Sequence, residues 1–399
     1  MSRPARVLWL HTQPEHYFNC MMDDLARHGD VEYVAAFSGK GAGWYKEVPV
    51  PVVAKTVFLR PRGGGGGMEG KSPTYFGKYH ADWRADLYPL EFDVAIVAGY
   101  GYRTHREVIH DCRRRGIPVA MFSDSNMRSQ MGTSLKDRVK RTVKKRMLHG
   151  IVRDVDLMLT ANRLGVEYWK FYGAPEEKIV VCPYYADYGR VDAARQTERG
   201  AVLGRVGLQA QERVILSSAR LVPAKGLDLM IKAFLRSGLA EKGYCYLIAG
   251  VGPLEGELKA LAGTAEGKAV RFIGFQQPTD NLALMAHADV FVLPSVYEPH
   301  GIVVHEAMAA GTPVIASDVC GAAYDLVDAG VNGEIFRSGD AEDLRAKLLA
   351  VLGDAERARQ LRVAARQKFE RWFEEFSPIK VVDREVRRLL AGRAAKGAG

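Results

Sequence analysis

Pro294-Ser295-Val296-Tyr297-Glu298-Pro299-His300-Gly301-Ile302-Val303-Val304-His305-Glu306-Ala307-Met308-Ala309-Ala310-Gly311-Thr312-Pro313-Val314-Ile315-Ala316 follows directly on the apolar run Val290–Leu293. The order is strand, loop, helix, sharp stop, strand. Gly311 stands where a helix C-terminal cap belongs, and Pro313 forbids continuation. Gly301 opens the helix without a side chain, so the first amides can face the oxygens of an anion. Glu298 lies on the loop and Glu306 one to two turns into the helix, eight positions apart. Their carboxylates can therefore address different parts of one elongated ligand.

The same alternation runs outward in both directions and predicts parallel sheets covered by helices. Upstream, strands are expected at Val7–Leu10, Val31–Phe37, Val94–Ala98, Val119–Phe122 and Leu157–Thr160. Around the opening stretch they fall at Val214–Ser218, Tyr244–Ala249, Val270–Ile273, Val290–Leu293 and Val314–Ala316. The 399 residues exceed one ordinary core and suit two domains. We expect an α/β chain of two Rossmann-like domains, 1–188 and 200–375, joined by a polar linker around Ala186–Gly200. From Ala355 the tail is helical in pattern and Arg-rich, and its last helix, about 376–391, is expected to pack back on the first domain. Ligands of such sheets bind outside the carboxyl ends of the strands, so the chemistry is expected on strand-end loops facing an interdomain cleft.

Three further segments of the second half sit on such loops. Ser217-Ser218-Ala219-Arg220-Leu221-Val222-Pro223-Ala224-Lys225-Gly226 delivers two long cations, five residues apart, just before a helix. Arg can fork onto two phosphate oxygens while Lys acts as a point charge; a pair of solvated surface cations is the plainer alternative. Gly250-Val251-Gly252 lets a ligand approach the backbone after a strand. Phe272-Ile273-Gly274 ends another strand, where free backbone groups can meet the edge of a base.

With these residues in order, Val214–Phe336 resembles the donor-binding domain of the GT-B glycosyltransferases of family 4. Glu298 and Glu306 match that family's E-x7-E signature, and Arg220 with Lys225 match its paired cations. Gly165–Tyr185 resembles, more weakly, its approach to the interdomain linker. The resemblance implies that Arg220 and Lys225 hold a donor diphosphate and that Glu306 accepts from ribose hydroxyls. It implies that Glu298 contacts the donor sugar near its anomeric carbon, and that the backbone of His300, Gly301, Ile302 and Val303 caps sugar and phosphate. It further implies a nucleotide-diphosphate sugar as donor, transfer with retention of anomeric configuration, and neither metal nor other cofactor.

The first half departs from that pattern. In place of a glycine-rich loop after the first strand stands His11-Thr12-Gln13-Pro14-Glu15-His16, which puts a phosphate contact from this side in doubt. His11, Glu15 and His16 are acceptor-side candidates; a His-rich helix cap is the alternative. Ser123 and Asp124, at the end of another strand, can steer or deprotonate an acceptor hydroxyl.

Competing signals are weaker. Gly65–Ser72 matches the phosphate-loop pattern with Lys71, but Pro73 follows and no apolar helical stripe does. Asp154-Val155-Asp156 matches a metal-binding D-x-D yet adjoins a strand start, and no metal is assigned. Lys136–Arg146 carries seven cations against Asp137, with Leu135, Val139, Val143 and Met147 at every fourth position. This basic helix either packs on the first domain or contacts an anionic membrane. No aromatic interleaves its cations, which disfavours nucleic acid.

A net charge of +9 suits any anionic partner. The five scattered cysteines form no C-x-x-C pair, which argues against a disulfide framework and a zinc site. With neither a signal-peptide pattern nor a membrane span, a cytoplasmic protein is expected, peripheral on the inner face of the membrane if the basic helix binds there. Three readings stand: a glycosyltransferase, a phosphate-loop NTPase, and a non-catalytic sugar-nucleotide-binding scaffold. The donor's base and sugar, the acceptor (a glycan, a lipid-linked or a small molecule) and the linkage stay open.

Overall fold

The computed structural model describes residues 3–28, 30–39, 51–60, 82–130, 135–186 and 188–397. They divide into two compact units. The first takes in the chain up to Ser125, then Met131–Ala186 and Phe376–Gly399; the second takes in Asn126–Gln130 and Asp187–Glu375.

The first unit is built on seven strands: β1 Arg6–His11, β2 Glu32–Phe37, β3 Lys55–Phe58, β4 Val94–Ala98, β5 Val119–Ser123, β6 Leu157–Thr160 and β7 Ile179–Val181. They lie in the order β3-β2-β1-β4-β5-β6-β7, each pairing parallel to its neighbour. Strands covered on both faces are apolar throughout rather than alternating, as Val-Ala-Met-Phe-Ser of β5 is, with every residue buried. The helix His16–His28 turns Phe18, Met21, Met22 and Leu25 onto the sheet at helical spacing. Val381, Val382, Val386 and Leu389 of the helix Pro378–Gly397 join the same core. The C-terminal segment is therefore part of the first unit although it follows the second in sequence.

The second unit holds six strands: β8 Arg213–Ser218, β9 Tyr244–Ala249, β10 Val270–Gly274, β11 Val290–Leu293, β12 Val314–Ser317 and β13 Gly333–Phe336. Their order is β10-β9-β8-β11-β12-β13, again parallel throughout. Leu227, Met230, Ile231 and Phe234 of the helix Leu227–Leu235 fill one face. Each such side chain contributes about 1.5–3 kcal/mol by leaving water.

Both sheets reverse direction of growth once, at β1/β4 and at β8/β11. The loops leaving adjacent strands diverge there and open a crevice. The stretches following β8 and β11 are Ala219–Gly226 and Pro294–Gly301, which places the second unit's candidate site.

Two expectations need correction and one stands. The strands β3, β7 and β13 were missed because each is an edge strand of three or four residues without the long apolar run of the inner strands. The polar stretch 188–204 is no loose linker: it forms the helices Tyr188–Arg195 and Arg199–Gly204, burying Val191, Ala194, Val202 and Leu203. The tail is two helices, Ala355–Phe376 and Pro378–Gly397, in keeping with the separate last helix expected at about 376–391; they part at Ser377 because a proline begins the second.

Candidate functional site

At the β8/β11 switch point the loop after β8 and the loop after β11 are stitched together by the backbone. Val296 and Tyr297 donate their amides to the carbonyl of Ala224 at 2.9 and 3.1 Å. Gly226 makes this approach possible: its φ is +60°, and a Cβ there would lie 2.2 Å from the carbonyl oxygen of Pro294. Lys225, the next residue back, reaches across to Glu298, with Nζ 2.5 Å from Oε2. Ser295 Oγ donates to the same carboxylate oxygen at 3.1 Å. Glu298 is buried, 7% exposed, so its charge needs these two partners.

Gly301 carries the turn into the helix Ile302–Ala309 at φ +90°, and a side chain there would strike Cys320 Sγ at 2.8 Å. The first amides of that helix have no carbonyl of their own turn to bond. Glu306 projects from the helix without a hydrogen-bond partner among the described residues. Burial of the carboxyl pushes its pKa up to about 7. A carboxylate so placed is an acceptor in want of donors. Arg220 is exposed on the loop after β8, and its guanidinium takes part in no hydrogen bond or ion pair among the described residues. Four residues singled out in sequence, Arg220, Lys225, Glu298 and Glu306, thus stand on elements that leave one switch point. Two of them are locked to each other and two are open.

The neighbouring motifs are more structural than expected. Gly250 (φ +138°) and Gly252 are required because a Cβ would meet the backbone of Ala219 at 1.9 Å and of Leu221 at 2.4 Å. Of the backbone groups expected free at Phe272–Gly274, two carbonyls are engaged. Gly274 accepts from Gly250 N at 2.7 Å, and Ile273 accepts from Gln276 Nε2 at 2.6 Å. The ring of His300 is buried against that of His305, centroids 4.9 Å apart, so this residue can meet a ligand only through its backbone.

In the first unit, His11 stacks on Phe18 with centroids 4.4 Å apart. Its Nδ1 lies 2.9 Å from the carbonyl of Gln13, and burial lowers its pKa to about 4. It is a neutral wall of the loop. His16 contacts Cys20 one turn on, and Ser123 Oγ accepts from the amide of Ser125 at 3.2 Å. Glu15 differs from these: its Oε2 is buried and without a partner. Burial, aided by the charge of Asp124, raises its pKa to about 7. Glu15 and Asp124 are the acceptor-side candidates that the fold brings into electrostatic contact.

Asp154 binds His110 and Arg153, and Asp156 accepts from the amide of Val119, so both carboxylates of the D-x-D serve the sheet and its flank. Gly65–Ser72, with Lys71, lies outside the described residues. Sequence reasoning missed Asn126, whose fully buried side chain donates to the carbonyls of Glu298 and Pro299. An Asn just before a short helical stretch is a cap signal, but nothing local announces partners 172 positions away.

Residues 203–368 match the family model described as glycosyl transferases group 1. The chain is 31% identical over 206 residues to D-inositol 3-phosphate glycosyltransferase of Nocardia farcinica, a match covering 49% of this chain and 44% of that protein. It spans about half the length of the curated relatives it matches. Among solved structures, sucrose-phosphate synthase from Thermosynechococcus elongatus superposes with a TM-score of 0.71 at 19% identity, covering 97% of this chain and 100% of that one. HepE of Anabaena in complex with UDP-glucose gives 0.67 at 18% identity, covering 97% and 99%. Such identities speak for the fold alone, and they do so along both sheets. Residues 203–368 of the second unit are thus similar to the glycosyl transferases group 1 family, and the chain has the two-domain GT-B fold of these solved structures.

Proposed function

We propose that the protein transfers a sugar from a nucleotide-diphosphate donor to an acceptor hydroxyl, with retention of configuration and without a metal ion. The observation that carries this is the convergence of Arg220, Lys225, Glu298 and Glu306 on one switch point of the second sheet. Glu306 accepts from the ribose hydroxyls, which supplies the donors its carboxylate lacks. Arg220 and Lys225 take the diphosphate, whose charge grows as the bond to the sugar breaks, so their contact strengthens toward the transition state. Two cations do here what a metal does elsewhere. Lys225 is held by Glu298 beforehand, so little reorganisation remains when the donor arrives. Glu298 then lies beside the sugar, where its carboxylate binds hydroxyls near the anomeric carbon. Same-face attack by the acceptor accounts for retention.

The names of the relatives support a nucleotide sugar: one is called a glycosyltransferase, and one solved neighbour holds UDP-glucose. Incubating the protein with UDP-glucose and GDP-mannose, each with an acceptor panel, and following nucleotide release tests the reading. Release of neither UDP nor GDP refutes it. Lys71→Ala is expected to leave nucleotide affinity unchanged; its collapse revives the phosphate-loop alternative.

On the acceptor side, Glu15 and Asp124 are the groups we assign to a hydroxyl, with His11, His16 and Ser123 shaping the loops around them. The basic helix, Leu135–Asp154, favours an acceptor at a lipid surface. Leu135, Val139 and Val143 are 73, 59 and 66% exposed, one apolar stripe, with Arg138, Lys140, Lys145 and Arg146 exposed beside it. We place the protein in the cytoplasm, peripheral on the inner face of an anionic membrane, with a lipid-linked or membrane-bound acceptor.

A further inference from the structure

Between β11 and the helix Ile302–Ala309 the chain has no ladder partner, so its carbonyls must find donors elsewhere. Ser317 Oγ donates to Ser295 O at 2.6 Å. His300 O accepts from Ala322 N at 2.8 Å and from Cys320 Sγ at 3.2 Å. Of the carbonyls between, those of Glu298 and Pro299 are met by one side chain. Asn126 Nδ2 stands 3.2 Å from the first and 2.7 Å from the second, and 3.3 Å from Val319 O. Asn126 is 0% exposed and belongs, with the four residues after it, to the second unit. Its Oδ1 accepts from Ser129 N at 2.7 Å, at the start of the helix Met127–Gln130. That contact fixes the amide's sense, with its acceptor toward its own helix and its donors toward the loop.

We infer that Asn126 is the positioning residue that sets where the Glu298 carboxylate stands; this rests on the sugar-transfer reading of the site. Pro299 has no N–H, so at that residue the backbone can be pinned only through its carbonyl. Two amide hydrogens pin it on both sides of the proline, and tie it to the segment after β12. Held so, Glu298 presents its carboxylate to Lys225 and Ser295. Without those donors, buried carbonyls are left unpaired and the loop shifts to find water. The amides of Val296 and Tyr297 keep their bonds to Ala224. The backbone beside Lys225 therefore stays in place, the Lys225 ammonium is freed for the diphosphate, and Arg220 and Glu306, which Asn126 does not touch, are unmoved. Asn126 governs the contact to the sugar and spares the contact to the nucleotide.

The test is Asn126→Asp, which keeps the shape and the helix cap but turns an acceptor toward three carbonyls. Asn126→Ser, which keeps one donor on a shorter side chain, accompanies it. Three quantities are measured on the full chain: hydrogen exchange at the amides of Glu298, His300 and Gly301, with Val296 and Tyr297 as internal controls; affinity for UDP and GDP; and single-turnover rate at saturating UDP-glucose or GDP-mannose. In Asn126→Asp the loop amides should exchange faster, and turnover should fall about tenfold to hundredfold, the range expected for unpaired buried acceptors. Affinity for the free nucleoside diphosphate should stay near parental, and Asn126→Ser should fall between the two. Parental exchange, or nucleotide affinity lost in step with turnover, overturns the inference. A parental protein that turns over neither donor refutes the sugar-transfer reading instead, and exchange at Glu298, His300 and Gly301 alone then decides the role of Asn126. If Asn126→Asp does not fold, Asn126→Ser is held to the same outcomes.

Discussion

The two sheets share a parallel topology with one reversal each, and their loops at the reversal carry opposite chemistry. After β8 and β11 the second unit sets two cations and two carboxylates, with Lys225 and Glu298 already paired at 2.5 Å. After β1 the first unit sets an apolar wall, His11 on Phe18, and then a buried acid, Glu15, beside Asp124. Two cations, one of them already positioned by a carboxylate, suit a diphosphate whose charge grows during reaction. Two neighbouring carboxylates repel a phosphate and suit a neutral hydroxyl. The missing glycine-rich loop after β1 is thus a change of chemistry. The first unit offers proton acceptors in place of backbone amides.

The largest effect is expected at the cations. Arg220→Ala or Lys225→Ala should each lower turnover at saturating donor by about 3–4 kcal/mol of barrier, two to three decades, and ground-state donor affinity by less. Glu298→Ala should lower turnover while sparing affinity for free UDP or GDP, which lack the sugar. Single-turnover rates beside calorimetric affinities, on variants shown to fold, decide this. Near-parental rates would erase the distinction between the two units.

Next comes the first unit. If Glu15 takes the acceptor's proton, Glu15→Gln should lower turnover by about two decades and leave nucleotide affinity untouched. The Asp124 charge helps to raise the Glu15 pKa to about 7. Asp124→Asn should therefore move the acid limb of the turnover–pH profile to lower pH. An acid limb that stays put would remove Asp124 from the site.

Glu306 tests the second unit's other half. Glu306→Ala should weaken nucleotide binding by about 1–3 kcal/mol, the cost of unpaired ribose hydroxyls. The sign of the pH effect follows from its raised pKa of about 7. The folded protein holds the proton that the unfolded chain releases in the ordinary carboxylate range. Glu306 therefore costs stability as pH rises from that range to about 7, and hydroxyl donors relieve that cost. Affinity for the free nucleoside should rise with pH through about 7, and Glu306→Gln should flatten the rise. Calorimetry with the nucleoside, which carries no titrating phosphate, isolates this group.

The second unit's site was largely legible in the sequence because its residues sit on strand-end loops with local marks: Gly301 before a helix, Gly311 and Pro313 after it, Lys225 before Gly226. What was illegible is long-range. The Lys225–Glu298 pair spans 73 positions and the Asn126 bonds span 172, and no local period encodes either. Edge strands such as Ile179–Val181 were missed because three residues carry no periodicity. The helices within 188–204 were mistaken for linker because their polar residues outnumber the few side chains they bury. The helix Leu135–Asp154 was legible as amphipathic, but which side faced water was not. Its apolar stripe lies outward, and one of its cations lies inward.

That inward cation shapes the prediction with the smallest effect on turnover. Lys144 Nζ stands over the rings of Tyr100, Tyr168 and Tyr172 at 5.5, 5.1 and 5.6 Å, and burial lowers its pKa to about 8. A caged ammonium cannot meet a lipid headgroup; it fastens the helix to the first unit and turns the face bearing Val139 and Val143 outward. Substituting Lys144 would loosen the helix itself, so it is the wrong probe for a membrane contact. The exposed residues are the right ones. Arg138→Gln with Lys140→Gln should weaken binding to phosphatidylserine-containing vesicles by about 2 kcal/mol, near 1 kcal/mol per cation, and salt should erase the difference. Val139→Asp with Val143→Asp should weaken it further by setting acids on the inserted stripe. Neither pair should alter turnover of a soluble acceptor, because both lie away from Glu15 and Asp124 in sequence and on an exposed face. Vesicle binding that is absent in the parental protein, or indifferent to both pairs, would return the stripe to a solvated helix. A loss of soluble turnover in either variant would show that this helix supports the first unit's site.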